Sequence, residues 1–198
     1  ENIDKVTELL KELRDILKEI PVLFTFRTLK EGGEKEVPVD YYKTLNIKAA
    51  ETGMVDLIDV ELFTGDEFVN EIVEKAHNAG VKVVMSNHDF HKTPEKNEIV
   101  KRLCRMQELK ADLPKIAVMP KSVADVLTLL SATNEMTEKH NETPVITMSM
   151  GGLGVVSRIA GETFGSSLTF GAAGTASAPG QIDVNNLAVI LDILHSAK

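Results

Sequence analysis

The chain has a single cysteine, Cys104, in 198 residues. That excludes an intrachain disulfide and suits a reducing, cytoplasmic setting. No apolar run approaches the ~20 residues needed to span a bilayer, and nothing at the start reads as a signal peptide. Positive charge is in deficit: 22 Lys and Arg stand against 30 Asp and Glu, a net charge of −8. Such a balance argues against general affinity for nucleic acid or anionic lipid, while leaving room for a small anion in a locally basic pocket. No tract has the composition of a linker or a low-complexity segment, and neither GxGxxG nor a P-loop follows the first apolar run. What is present is ordinary for a globular domain, with 43% hydrophobic and 26% charged residues. The length fits one domain, residues 1–198, with a sizeable core.

Six short apolar runs recur along the chain, at 22–27, 55–61, 81–88, 114–119, 144–149 and 168–173. Their continuous apolar character is that of strands covered on both faces. Amphipathic segments separate them and predict helices at 40–52, 65–79, 94–110, 122–141, 153–164 and 183–196, after a first helix over 3–20. Asn2 is placed to cap the first helix, Ser122 with Asp125 resembles a capping box, and Thr93-Pro94 offers a cap followed by proline at the first helical position. Gly80 sits where a helix would end on a left-handed residue.

Alternating strand and helix at this period gives an α/β fold, either a doubly wound sheet or a (β/α)8 TIM barrel. Polar residues gather at the carboxyl ends of the runs: Arg27, Glu61, Asn87-His88-Asp89 and Ser149. Both architectures bind ligands there. Six strands are too few for the barrel, but a barrel lacking its first two βα units would have this count and open on a helix. The expectation is therefore a (β/α) barrel without its amino-terminal portion.

Lys115 interrupts the run Pro114–Met119. Alternation places Lys115, Ala117 and Met119 on one face and Ile116 and Val118 on the other. Spacing leaves two readings open. The amine snorkels to water, or it is held in an apolar interior as a nucleophile. The second requires lowering its pKa from ~10.4 to ~7–8, at about 4 kcal/mol of lost ammonium stabilisation. His88 ends the preceding run and has the imidazole suited to proton transfer near neutrality. Asp89 and His91 beside it are a weak pattern for a metal site, and no metal or cofactor is expected.

The strings FTFRT and EGGE (24–34), VDLIDVE, SNHDF, LPKIAVMP, TMSMGGLGVVSR and FGAAGTASAPGQ occur in that order and cover essentially the whole chain. Together they resemble the type I 3-dehydroquinate dehydratases, Schiff-base lyases of the shikimate pathway of aromatic amino acid biosynthesis, with the barrel of the class I aldolases. The resemblance implies Lys115 as the Schiff-base lysine, His88 as the proton-transfer residue and Glu31 as the carboxylate orienting it. Arg158 would bind the substrate carboxylate, Arg27 would be a second pocket arginine, Ser177 and Gln181 would bond the substrate's polar rim, and Met148 and Met150 would wall the pocket. It also implies 3-dehydroquinate as substrate and a homodimer. The family's earlier strand, with a Glu and an Arg for the pocket, has no counterpart in the sequence and would precede Glu1.

The small-residue stretch 171–181 reads as a lid over a charged intermediate. Two alternatives stay open on residues alone. Gly151-Gly152-Leu153-Gly154 has the composition of a phosphate cradle at a helix start, which would suit a class I aldolase acting on a sugar phosphate. A partial barrel without activity, binding a partner through its helices, is the other.

Overall fold

A computed structural model describes residues 2–197. Five strands lie in one sheet in chain order: β1 (Leu23–Phe24), β2 (Leu57–Glu61), β3 (Lys82–Asp89), β4 (Leu113–Val118) and β5 (Ile146–Ser149). The pairings β1–β2, β2–β3 and β4–β5 are parallel. The helices are α1 (Ile3–Leu17), α2 (Val39–Glu51), α3 (Asp66–Asn78), α4 (Lys96–Glu108), α5 (Val123–Lys139), α6 (Gly151–Ile159), α7 (Gly161–Phe164) and α8 (Val184–Ser196). The chain gathers into two compact units, residues 1–87 with 106–113, and residues 88–105 with 114–198.

In the first unit, α3 buries Val69, Ile72, Val73 and Ala76, a spacing of three, one and three that forms one stripe of a helix. Ile58 and Val60 of β2 and Val83 and Met85 of β3 are buried as well. Each such side chain contributes about 1.5–3 kcal/mol when fully removed from water. In the second unit the apolar stripe of α5 (Val126, Leu129, Leu130, Met136) and the strand residues Ile116, Val118, Ile146 and Met148 are buried.

The caps behave largely as the sequence dictates. Asn2 accepts the Asp4 N–H at 2.9 Å. Ser122 and Asp125 form the reciprocal capping box. Gly80 takes φ +76° just after α3. Thr93 does otherwise: its hydroxyl donates to the Met119 carbonyl, and α4 starts only at Lys96.

The sixth expected strand, 168–173, is not one, so the six βα strands become five. The reason lies in how β5 spends its amides. Thr147 N–H donates to Ser166 Oγ at 3.0 Å and Ser149 N–H to Ser157 Oγ at 2.8 Å. Side-chain hydroxyls thus occupy donors that a further parallel ladder would use. The next segment touches β5's leading end, where Ser167 N–H bonds the Val145 carbonyl. It then continues outside any strand, anchored instead by Ala172 N–H to Ile182 O and Val184 N–H to Ala172 O.

Candidate active site

In the first unit the expected residues Arg27 and Glu31 sit in a buried cluster of acids. Asp59 and Glu61 are two apart on β2 and so share a face, and both are buried. Arg27 Nη2 donates to Asp59 Oδ2 at 2.9 Å. Its Nη1 donates to Glu61 Oε1 at 2.9 Å and Ser86 Oγ at 3.0 Å, and lies 3.5 Å from Glu31 Oε2. Ser86 Oγ donates to Asp59 Oδ1 at 2.6 Å, and Thr28 gives Glu61 both its N–H and its hydroxyl. Asn87 Nδ2 donates to Glu31 Oε1 at 3.1 Å.

One cation cannot balance three buried carboxylates, and the protonation pattern follows. Burial disfavours the charge on Arg27, but Asp59, Glu61 and Glu31 outweigh it and raise its pKa. Burial, with Glu61 second, pushes the Glu31 carboxyl up to about 8, against the opposing hydrogen bond from Asn87 and the charge of Arg27. Glu31 therefore carries a proton at neutrality in this cluster. The EGGE turn that presents it demands glycine at position 33, where a Cβ would stand 1.9 Å from the Arg27 carbonyl oxygen.

In the second unit Lys115 lies on β4, paired with Ile146, with Ala117 beside Met148 two positions on. It is 7% exposed, so the amine does not snorkel into bulk water. Its Nζ lies 4.8 Å from the centroid of the Phe170 ring. His88 is half-buried at the end of β3, with its ring stacked on Phe90 at 6.5 Å. Asp89 Oδ1 accepts the N–H groups of His91 and Lys92, each at 3.0 Å, which closes the turn after β3. Among the described residues, no group of three or more His, Cys, Asp or Glu is placed to hold a metal ion.

Arg158, on α6, is 1% exposed. Its Nη1 donates to Met148 Sδ at 3.5 Å and its Nη2 to the Pro179 carbonyl at 3.1 Å, while Nε is buried without a partner. These partners are neutral, and burial lowers its pKa. A buried guanidinium with an idle donor is able to receive an anion, and the planar fork of arginine matches carboxylate geometry.

Pro179 also accepts the Gly151 N–H at 3.1 Å, so one donor of the GGLG turn is spent on the chain itself rather than left for a phosphate. Gly180 seats against that turn, and a Cβ on it would meet the Gly151 oxygen at 2.5 Å. Ser177 and Gln181 pair with each other: Ser177 N–H reaches Gln181 Oε1 at 2.8 Å, and Gln181 Nε2 reaches Ser177 Oγ at 3.1 Å. Met148 and Met150 are buried, the latter pinned by its N–H to the Val118 carbonyl at 2.8 Å.

Sequence reasoning did not single out Asp59, Ser86 or Phe170. Asp59 had a signal, an acid two residues before Glu61 in an otherwise apolar run. Phe170 had none, because only tertiary folding brings it to Lys115.

Comparison with known proteins bears on the family and the fold. The model of the family described as type I 3-dehydroquinase matches residues 1–198. A 3-dehydroquinate dehydratase of Clostridioides difficile (strain 630) is 61% identical over 197 residues, covering 100% of this chain and 77% of that protein. One from Listeria monocytogenes serotype 4a (strain HCC23) is 62% identical over 194 residues, covering 98% of this chain and 77% of its own length. The crystal structure of type I 3-dehydroquinate dehydratase from Clostridium difficile with covalently modified comenic acid superposes with a TM-score of 0.97 at 60% identity, covering 100% of this chain and 78% of that one. That of Geobacillus kaustophilus HTA426 gives 0.95 at 37% identity, covering 98% and 76%. With its α/β fold and parallel sheet in chain order, the chain belongs to the type I 3-dehydroquinase family.

Proposed function

We propose that this protein is a hydro-lyase that dehydrates 3-dehydroquinate to 3-dehydroshikimate, in the shikimate route to aromatic amino acids, through an imine on Lys115. The observation that carries the proposal is a lysine buried on a strand of a chain that matches the type I family from end to end. That a relative holds covalently modified comenic acid supports a covalent route.

The substrate ketone condenses with the Lys115 amine and loses water, giving a protonated imine. That cation withdraws electrons from the neighbouring carbon, whose proton His88 removes as an enamine forms. The imidazolium then protonates the departing hydroxyl, water leaves, and the ring acquires its double bond. Hydrolysis of the imine frees the product and restores the amine. Covalent catalysis divides one difficult elimination into easier steps.

Arg158 holds the substrate carboxylate, Met148 and Met150 wall the pocket, and Ser177 and Gln181 exchange their mutual bonds for bonds to substrate hydroxyls. Glu31 serves as the carboxylate that orients His88 and, once ionised, favours the imidazolium by its opposite charge, and Arg27 keeps the surrounding acids in place. Residues 1–198 act as one catalytic domain, working as a homodimer in the cytoplasm.

The test is to incubate the protein with 3-dehydroquinate and borohydride, then to weigh and map it. A stable adduct on Lys115, absent from Lys115→Ala, is the expected result. An adduct formed only with phosphorylated sugars would turn the assignment toward an aldolase, and none with either would leave a fold without this chemistry.

A further inference from the structure

The nitrogen of Lys115 changes charge at each stage of the proposed cycle. It is cationic as ammonium, neutral when it attacks, cationic as the protonated imine and neutral as the enamine. The buried environment offers little water to stabilise the cationic forms. The structure supplies another source: Nζ stands over the face of Phe170, 4.8 Å from the ring centroid, within the range where the negative face of an aromatic quadrupole attracts a cation.

The chain just after Phe170 is anchored through its backbone. Ala172, two residues on, exchanges hydrogen bonds with Ile182 and Val184. Gly171 between them lets the chain close on α8, since a Cβ at 171 would lie 2.9 Å from Val184 Cα. The backbone that carries the ring is therefore anchored without substrate.

We propose that Phe170 is a catalytic residue whose ring face stabilises the positive charge on the Lys115 nitrogen, above all in the protonated imine. The inference rests on the Schiff-base reading of Lys115. A ring suits this task better than a carboxylate would, because it attracts the cation yet cannot accept its proton. A neutral imine is a poor electron sink, so losing that proton would stall the elimination. The delocalised N=C cation is also flat and can lie along the ring.

The experiment replaces Phe170 with mono-, di- and trifluorinated phenylalanines, which drain the ring's face of charge while nearly keeping its shape, and adds Phe170→Tyr and Phe170→Leu. Turnover of 3-dehydroquinate and borohydride trapping at Lys115 are measured for each. Turnover should fall stepwise with fluorine count, by about twofold to thirtyfold in total. Tyrosine should retain most activity, and leucine should lie at or below the trifluorinated protein. Unchanged turnover across the fluorinated series would overturn the inference, whatever leucine does, and should leucine prevent folding the series decides alone. A Schiff-base failure is distinguishable, because the unmodified protein would then show no Lys115 adduct at all.

Discussion

Replacing Glu31 by glutamine should change how the stability of this protein depends on pH. In the fold Glu31 is buried and holds its proton up to about pH 8, whereas its ordinary value is 4.5. Between those values the folded chain binds more protons than the unfolded chain, so the slope of unfolding free energy with pH is negative. Glu31's contribution is fully present below about pH 4.5, is lost as pH rises, and is exhausted above about 8. At about 1.36 kcal/mol per pH unit, that interval amounts to roughly 5 kcal/mol, of which roughly 3 is already gone at pH 7. Glutamine keeps an acceptor for Asn87 and never ionises, so Glu31→Gln escapes the loss. Urea unfolding followed by far-UV circular dichroism should give similar midpoints near pH 4.5 and a higher midpoint for the variant at pH 9. With slopes of ~1–3 kcal/mol/M, a gap of roughly 2 M is expected. Asp56, depressed by the Val22 N–H and Arg14, and Asp112, depressed by Lys82, the Val83 N–H and His77 against its burial, exert their effects at lower pH, so they do not mask the comparison. Parallel midpoint curves from pH 4.5 to 9 would refute the reasoning, because Glu31 would then titrate alike in both states.

Two further variants address the second unit. Arg158→Lys removes the planar fork while keeping the charge, and at about 1.5–3 kcal/mol for a hydrogen bond to a charged group the KM for 3-dehydroquinate should rise roughly tenfold to hundredfold; an unchanged KM would remove Arg158 as the carboxylate anchor. Gly180→Ala places a Cβ 2.5 Å from the Gly151 oxygen at φ +76°, so the 171–181 segment should unseat, seen as faster proteolytic cutting there and a raised KM, and wild-type cutting and KM would show that this close approach is not what holds it.

The strands were largely legible because burial on both faces writes them as continuous apolar runs: β2 and β5 fall within the runs that predicted them, while β3 runs one residue past its run and β4 starts one residue before its own. The run at 168–173 has the same composition, yet its fate was decided by two serine hydroxyls that took the outer amides of β5. Hydropathy carries no trace of that. Thr93 fails as a cap because α4 begins only at Lys96, three residues on, while its hydroxyl donates to the carbonyl of Met119, distant in sequence. Burial of Lys115 was legible only as one of two readings from alternation, and the motifs favoured it. The ring beside it was not legible, because 55 positions separate Lys115 from Phe170 and no local pattern joins them.

The two arginines that family resemblance assigns alike to substrate are unlike once their surroundings are counted. Arg27 is ringed by Asp59, Glu61 and Glu31, and by the hydroxyl of Ser86. An added carboxylate would enter an already negative field, so this guanidinium has little attraction left to offer an anion. Its consequence is internal: it donates to two acids on successive same-face positions of β2, and those two acids in turn help raise the Glu31 carboxyl. Arg158 has the reverse balance, with a sulfur, a neutral carbonyl and an idle Nε around a buried charge. Such a group costs stability until an anion arrives, and a carboxylate that repairs the deficit is bound more tightly for it. Of the two, Arg158 is the one whose surroundings favour an added negative charge.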